Sequence, residues 1–232
     1  MNRRGYLLST LGLSAAICSP LGRGQAPAPR IGELKPLGKD RFQIGSIVVD
    51  KRARTFAVPG RVHVLGKPLE YLATTKGGWK QYEALLELDA TGSEFNLACI
   101  LVGLERPANQ AAFERYSRAP LAGQRAALYI AWTEGAKRRK LSAAEALSNP
   151  RPGVKAEPID WVYLGSPESQ PGGPFAADVT GTLVGFVHDP TSVIESVGGV
   201  GIGAYGSVQG NTALPPVGSA IELIVEVPPA KK

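Results

Sequence analysis

Histidine and cysteine are scarce, with two of each among 232 residues. No HxH, HExxH or CxxC spacing occurs, so the local signatures of zinc sites and redox pairs are missing. No GxSxG elbow is present either, which removes the commonest motif for a poised serine nucleophile. Charge of one sign is also lacking. The formal net charge is +6, but Arg3, Arg4 and Arg23 fall in an acid-free leader, and without those three the balance drops to +3. The densest basic run, Lys137 to Lys140, carries no interleaved aromatics. It reads as the solvated edge of a hairpin, and no nucleic-acid partner is expected.

Glycine (28) and proline (19) are plentiful and follow no period, which excludes a collagen-like repeat and favours a turn-rich chain of short strands. Residues 1–26 have the plan of an export signal: a basic start, an apolar stretch from Tyr6 to Ile17, then small residues and prolines. The apolar stretch is too short to span a bilayer, which takes about 20 residues, so no transmembrane segment is expected. Arg3-Arg4 followed by Tyr6-Leu7-Leu8 fits the twin-arginine pattern; two basic residues also satisfy the general secretory route. The expected cleavage follows Ala26, and lipidation of Cys18 is the alternative end point. The protein is therefore expected in the periplasm or outside the cell. Cleavage leaves one thiol, Cys99, which cannot form an internal disulfide and sits in the apolar run FNLACILVGL, the setting of a small buried hydrophobe.

Residues 27–43 read as a flexible lead-in, 44–227 as one domain and 228–232 as a tail. The expected fold is α+β, mostly antiparallel β-sheet with one or two short helices. Thr91 followed by Glu94 marks a helix start ahead of the apolar run, ending near Gly103. Ser142 and Glu145 repeat that spacing and predict a second short helix. Pro59-Gly60 reads as a turn dividing RTFAVPGRVHVLG. ALYIAWT and KRRKLSA form a hairpin, FAADVTGTLVGFVHD reads as strand broken at Thr180-Gly181, and PTSVIES as one helical turn.

Two groups of residues stand out as functional candidates. His188, Asp189 and Asp178 could form an acid–base or metal centre, with His63 and Glu83 drawn in by the fold; Asp189-Pro190 equally makes a turn in which the carboxylate serves nearby backbone N–H groups. Trp79, Tyr82, Glu83 and Tyr205 could bind a ligand, Trp79 because it follows a Gly-Gly turn. The run GGVGIGAYG lacks the Walker lysine and the strand–helix context of a dinucleotide loop, and reads as a surface loop. No cofactor is expected. The partner class is a protein or a small molecule. A surface-anchored structural protein, lipidated at Cys18, is a further class.

The order of segments carries a family resemblance. IVVDKRARTFAVPGRV is followed by LEYLATTKGGWKQYEALLEL, LACILVGLERP, YIAWTEGAKRRKL, WVYLGS and FAADVTGTLVGFVHDP. This succession resembles the YdjY-like domain family of exported bacterial proteins, over about Ile44 to Val227. The resemblance implies no established reaction, so it assigns no catalytic residue. Redox chemistry is not implied here: a chain with one mature cysteine cannot ligate an iron–sulfur cluster alone.

Overall fold

The computed structural model describes residues 31–148, 159–200 and 208–229. Fourteen strands are present among them: β1 (Leu34–Gly38), β2 (Arg41–Ile44), β3 (Ile47–Asp50), β4 (Thr55–Val62), β5 (Tyr71–Thr75), β6 (Ala84–Leu88), β7 (Gln124–Glu134), β8 (Lys137–Ser142), β9 (Leu147–Ser148), β10 (Trp161–Tyr163), β11 (Thr182–Gly185), β12 (Ile194–Ser196), β13 (Gln209–Gly210) and β14 (Ala220–Glu226). The helices are α1 (Gly92–Leu101) and α2 (Ala176–Thr180), with a single 3₁₀ turn over Gln81–Glu83.

The chain is mostly β, and the sheet is mixed. Strands run in the order β4-β14-β7-β10-β12-β11-β5-β6, and β6 returns to β4, closing an eight-stranded barrel. Closure leaves the barrel strands without the free edges that invite aggregation. β3, β2 and β1 continue outward from β4 as a meander, and β8 extends from β7. Two pairings in the barrel are parallel, β5 with β6 and β11 with β12. The sheet is thus mostly antiparallel, as expected, but mixed rather than purely antiparallel. The reason is visible in the connections: β5 and β6 are joined through the 3₁₀ turn, β11 and β12 through residues 186–193, so short irregular links replace crossover helices.

Alternation places the core. Along β4, β14 and β7 the buried positions include Phe56 and Val58, Leu223 and Val225, Leu128 and Ile130. The register aligns them in two rows, Phe56–Val225–Leu128 and Val58–Leu223–Ile130. Helix α1 adds Phe95, whose ring meets Phe56 edge-on at 5.3 Å and 82°. Its start is a complete capping box: Glu94 N donates to Thr91 Oγ1 and Thr91 N to Glu94 Oε2. Cys99 is fully buried on this helix, and burial pushes its thiol pKa up.

Four local expectations are overturned. Pro59-Gly60 is not a turn, because β4 runs through it. The Pro59 carbonyl accepts from Asp89 N, so the side of Pro59 that lacks an N–H faces the edge where β3 has ended and β6 begins. The ladder to β14, on the other side, needs no donor there. The Ser142–Glu145 capping pair forms every cap hydrogen bond but nucleates no helix, because Ala143 N is tied to Leu128 O and Leu147 pairs with Gly210. Residues 176–180 are helix rather than strand, closed by Gly181 in the left-handed region at φ 77°. The segment PTSVIES ends as strand β12 rather than as a helical turn.

Candidate functional site

An exposed aromatic surface forms where two loops meet. Gly77 takes φ 75° to make the turn, and Gly78 lies so close to Gly181 that a Cβ would stand 3.2 Å from its backbone. Trp79 N donates to the Thr180 carbonyl, which pins the turn and leaves the indole outside. Trp79 is 70% exposed and Tyr82 57%. Lys80 holds Tyr82: its ammonium lies 3.1 Å from the phenol oxygen, 5.3 Å from the ring centre, and 3.2 Å from Glu83 Oε2. The neighbouring loop brings Arg115 and Tyr116. Arg115 pairs with Glu70 at 2.5 Å and lies 4.7 Å over the Tyr116 ring, and the Tyr116 hydroxyl donates to Glu70 at 2.8 Å. The Glu70 amide donates to the Glu83 carbonyl, joining the two halves. Each cation has a carboxylate partner, so the rings are held in place on a locally neutral surface.

Directly behind it lies a buried polar cluster. The registers of β5, β11, β12, β10 and β7 set Tyr71, Gly185, Glu195, Val162 and Arg125 side by side in one row. Trp161 and Tyr163 belong to the main core, whereas Val162 packs with Leu121, Leu164, Phe113 and Val197, so this row lies on the outer face of the barrel. Residues 105–123, the irregular strap between α1 and β7, cover it. Tyr116 N donates to the His188 carbonyl, Leu121 N to the Val197 carbonyl, and Phe113 meets the His188 ring edge-on at 5.9 Å.

His188 and Asp189 are both buried here. His188 adopts φ 60°, and its Nε2 lies 2.9 Å from the Ser196 carbonyl, which makes Nε2 the protonated nitrogen and leaves Nδ1 without a partner. Burial lowers its pKa, so the ring is neutral. Asp189 accepts from the Tyr71 hydroxyl at 2.5 Å and, through Oδ1, from Thr191 N and Oγ1 at 2.9 and 2.8 Å. The carboxylate thus serves the backbone of the turn beside Pro190. Burial, and then the adjoining Asp189 carboxylate, raise the Tyr71 pKa. Glu195 is fully buried; its Oε1 accepts from Asp189 N at 3.0 Å, and burial pushes its pKa up to about 8. Its Oε2 and the Ser192 hydroxyl have no hydrogen bond of good geometry, although that hydroxyl stands near enough to favour the carboxylate. Among the described residues, the buried side-chain atoms without a partner are Thr74 Oγ1, Gln110 Oε1, Arg115 Nε, His188 Nδ1, Ser192 Oγ and Glu195 Oε2. Of these, Arg115, His188, Ser192 and Glu195 belong to this cluster.

The other candidates are elsewhere or otherwise engaged. Asp178 accepts from both the amide and the hydroxyl of Ser93 at the start of α1, beside a cavity of about 340 Å³. Glu83 pairs with Lys80. His63 Nδ1 stands 3.8 Å from Glu87, whose main partner is Arg61 at 2.8 Å. Tyr205 lies outside the described residues. No group of three His, Cys, Asp or Glu that could hold a metal ion occurs among the described residues, and no helix among them is long and apolar enough to cross a membrane. In the 137–140 run, Arg138 pairs with Glu222, Arg139 with Glu134 and Lys140 with Glu226.

Sequence reasoning missed Glu195, Glu70, Arg115 and Tyr116. Glu195 looks like any polar residue in a short strand, and only pairing with Gly185 shows that it is enclosed. Arg115 and Tyr116 sit in a stretch with no periodicity, where their adjacency to the 79–83 loop has no local signal.

A family model described as the YdjY domain matches residues 47–226. No curated protein and no solved structure matches the chain.

Proposed function

The chain belongs to the YdjY domain family, and from that premise we propose that it is a non-catalytic binding module recognising a protein or small-molecule ligand through the surface of Trp79, Tyr82 and Tyr116. The observation that carries this reading is the 70% exposure of Trp79 on a turn fixed by hydrogen bonds to its neighbours. Water-exposed indole on a rigid turn is unfavourable for an isolated fold and favourable for a binding surface, where Trp, Tyr and Arg supply most of the energy. Tyr82 and Tyr116, at 57% and 44% exposure, are held by Lys80 and Arg115, so little conformational freedom is lost on binding. A photo-crosslinking residue at position 79 or 82 tests the reading. Adducts are expected from those positions and not from Val217, which is as exposed but lies apart in sequence and carries no aromatic neighbours in its loop. Equal labelling from all three positions refutes it.

A second reading, a metal-binding or hydrolytic centre at His188, Asp189 and Asp178, draws on the buried cluster with its unpaired Nδ1 and protonated Glu195. Asp178, engaged by Ser93, contributes nothing to that cluster, so the reading reduces to His188, Asp189 and Glu195. Stoichiometric zinc, copper or iron in the purified protein would establish it over the first.

The place of action is a proposal as well. Residues 1–26 act as an export signal, giving a periplasmic or secreted protein; the mass of the mature N-terminus distinguishes cleavage after Ala26 from lipidation at Cys18.

A further inference from the structure

Glu195 is set where a carboxylate is hardest to keep. Its side chain is fully buried on the outer face of the barrel, against Gly185 of β11 and Val162 of β10, neither of which carries a charge. From the 186–193 connection it faces Asp189, which is acidic, His188, which is neutral, and the Ser192 hydroxyl. From β5 comes Tyr71, spent on Asp189. From the strap comes Arg115, whose partners are Glu70, Tyr71 and Asp189 rather than Glu195. Among the described residues, no cation acts on the Glu195 carboxyl. Oε1 accepts the Asp189 N–H, and the His188 amide and Ser192 hydroxyl also favour the carboxylate, but Oε2 has no hydrogen bond of good geometry and burial outweighs all three. The 188–192 turn lies on Glu195, and over that turn runs the strap of residues 105–123, whose contacts include Tyr116 N to His188 O, Phe113 against the His188 ring, Leu121 N to Val197 O, and Arg115 and Tyr116 with Glu70.

We infer that the Glu195 carboxyl is a proton-operated latch on the 105–123 strap, and so on the Arg115–Tyr116 half of the aromatic surface; the second clause rests on the binding reading above. With the proton on, the site is neutral and the strap stays seated. When the proton leaves to solvent, a carboxylate forms beside Asp189 with no counter-charge, and unseating the strap lets water reach it. The open state then holds Glu195 near its ordinary pKa of 4.5, against about 8 when covered. Opening therefore grows about tenfold per pH unit between roughly 5 and 8 and levels off above that. Acid closes the strap and base loosens it.

Hydrogen exchange of the full chain from pH 5.5 to 7.5, corrected for the intrinsic pH dependence of exchange, tests this without any ligand. The 105–123 amides are expected to lose protection by on the order of 100-fold in the wild type, while staying far less protected than α1 and β14 amides, which exchange only through global unfolding. In Glu195→Gln the strap should show no pH dependence. Strap protection that is flat with pH in the wild type, or a slope that persists in Glu195→Gln, overturns the latch. If the variant does not fold, carbon NMR of the wild-type Glu195 carboxyl decides: a titration midpoint below 6 refutes the idea. Crosslinking from position 116 should fall with rising pH while that from 79 holds. Loss of all crosslinking would sink the binding reading and leave the exchange result standing.

Discussion

Gly185→Ala offers a sharp test of the packing argument, because two rules give it opposite signs. In a strand interior, replacing glycine by alanine ordinarily stabilises by about 0.5–1 kcal/mol, through a less flexible unfolded chain. Here Gly185 pairs with Glu195 across the parallel β11–β12 contact. A Cβ at 185 would stand 2.8 Å from Glu195 Cδ and 3.0 Å from Oε2, and nearer still to Oε1. All three nearest atoms belong to the Glu195 side chain, so it is the carboxyl that must move. Overpacking of this kind costs about 1–3 kcal/mol. Displacing Oε1 also leaves the buried Asp189 amide unpaired, a further cost of about 1–3 kcal/mol. The net expectation, after the backbone gain, is a loss of about 3 kcal/mol, or a Tm lower by roughly 6–12 °C for a domain of this size. Chemical denaturation of wild type, Gly185→Ala, Glu195→Ala and the double variant measures it. The cost of Gly185→Ala should largely vanish when Glu195 is already Ala, since the clash is then removed. Gly198→Ala, with open space around its Cβ position, should stay within about 0.5 kcal/mol of wild type. A neutral or stabilised Gly185→Ala, or a cost unchanged in the double variant, refutes the placement of Glu195.

Global stability should carry the signature of the same carboxyl. A folded-state pKa of about 8 against 4.5 means that the folded chain binds the extra proton between those values, so stability falls as pH rises from about 5 to 8, by about 3 kcal/mol, and then levels. Denaturation midpoints of Glu195→Gln relative to wild type should show the difference growing over that window; His188, whose depressed pKa acts in the opposite sense below about 6.5, cancels in the comparison. Tyr71→Phe removes the donor to Asp189 Oδ2 and should destabilise by about 1–3 kcal/mol in urea titrations, with no effect if that hydroxyl is dispensable. Cys99, fully buried with a raised thiol pKa, should resist thiol reagents in the native protein and react at once in denaturant; native-state labelling that peptide mapping assigns to Cys99 rather than Cys18 contradicts its place on α1.

Where a signal was complete within a few residues, the chain spelled it out. Thr91 and Glu94 cap α1 because the reciprocal bonds need only each other and the turn between them. The β7–β8 hairpin follows from alternation along β7 and the turn at Gly135, at φ 58°, with the basic run of β8 on the solvated side. The aromatic surface was half legible: Trp79 and Tyr82 follow a Gly-Gly turn, whereas Arg115 and Tyr116 reach them through space. His188-Asp189 was legible as a turn, and its company was not. Tyr71 comes from 118 positions away.

Elsewhere the same local signals met a stronger partner. Ser142 and Glu145 make cap bonds identical in kind to those of α1, yet Ala143 is claimed by Leu128 and Leu147 by Gly210, and one helical turn cannot outweigh sheet pairing. Pro59-Gly60 has the composition of a turn and the position of a gap between two strand partners.

By itself the sequence determined a short-stranded, turn-rich chain poor in cysteine and histidine, and those helices and hairpins whose local bonding no distant strand contests, such as α1 and the β7–β8 pair. Tertiary structure alone decided that the sheet closes through β4 and β6, that two pairings are parallel, and that Glu195 lies sealed under a strap beside Asp189. The physical reason is range. Caps and turns satisfy backbone groups within a few residues, whereas barrel closure and carboxyl burial depend on which distant strands come to share an edge.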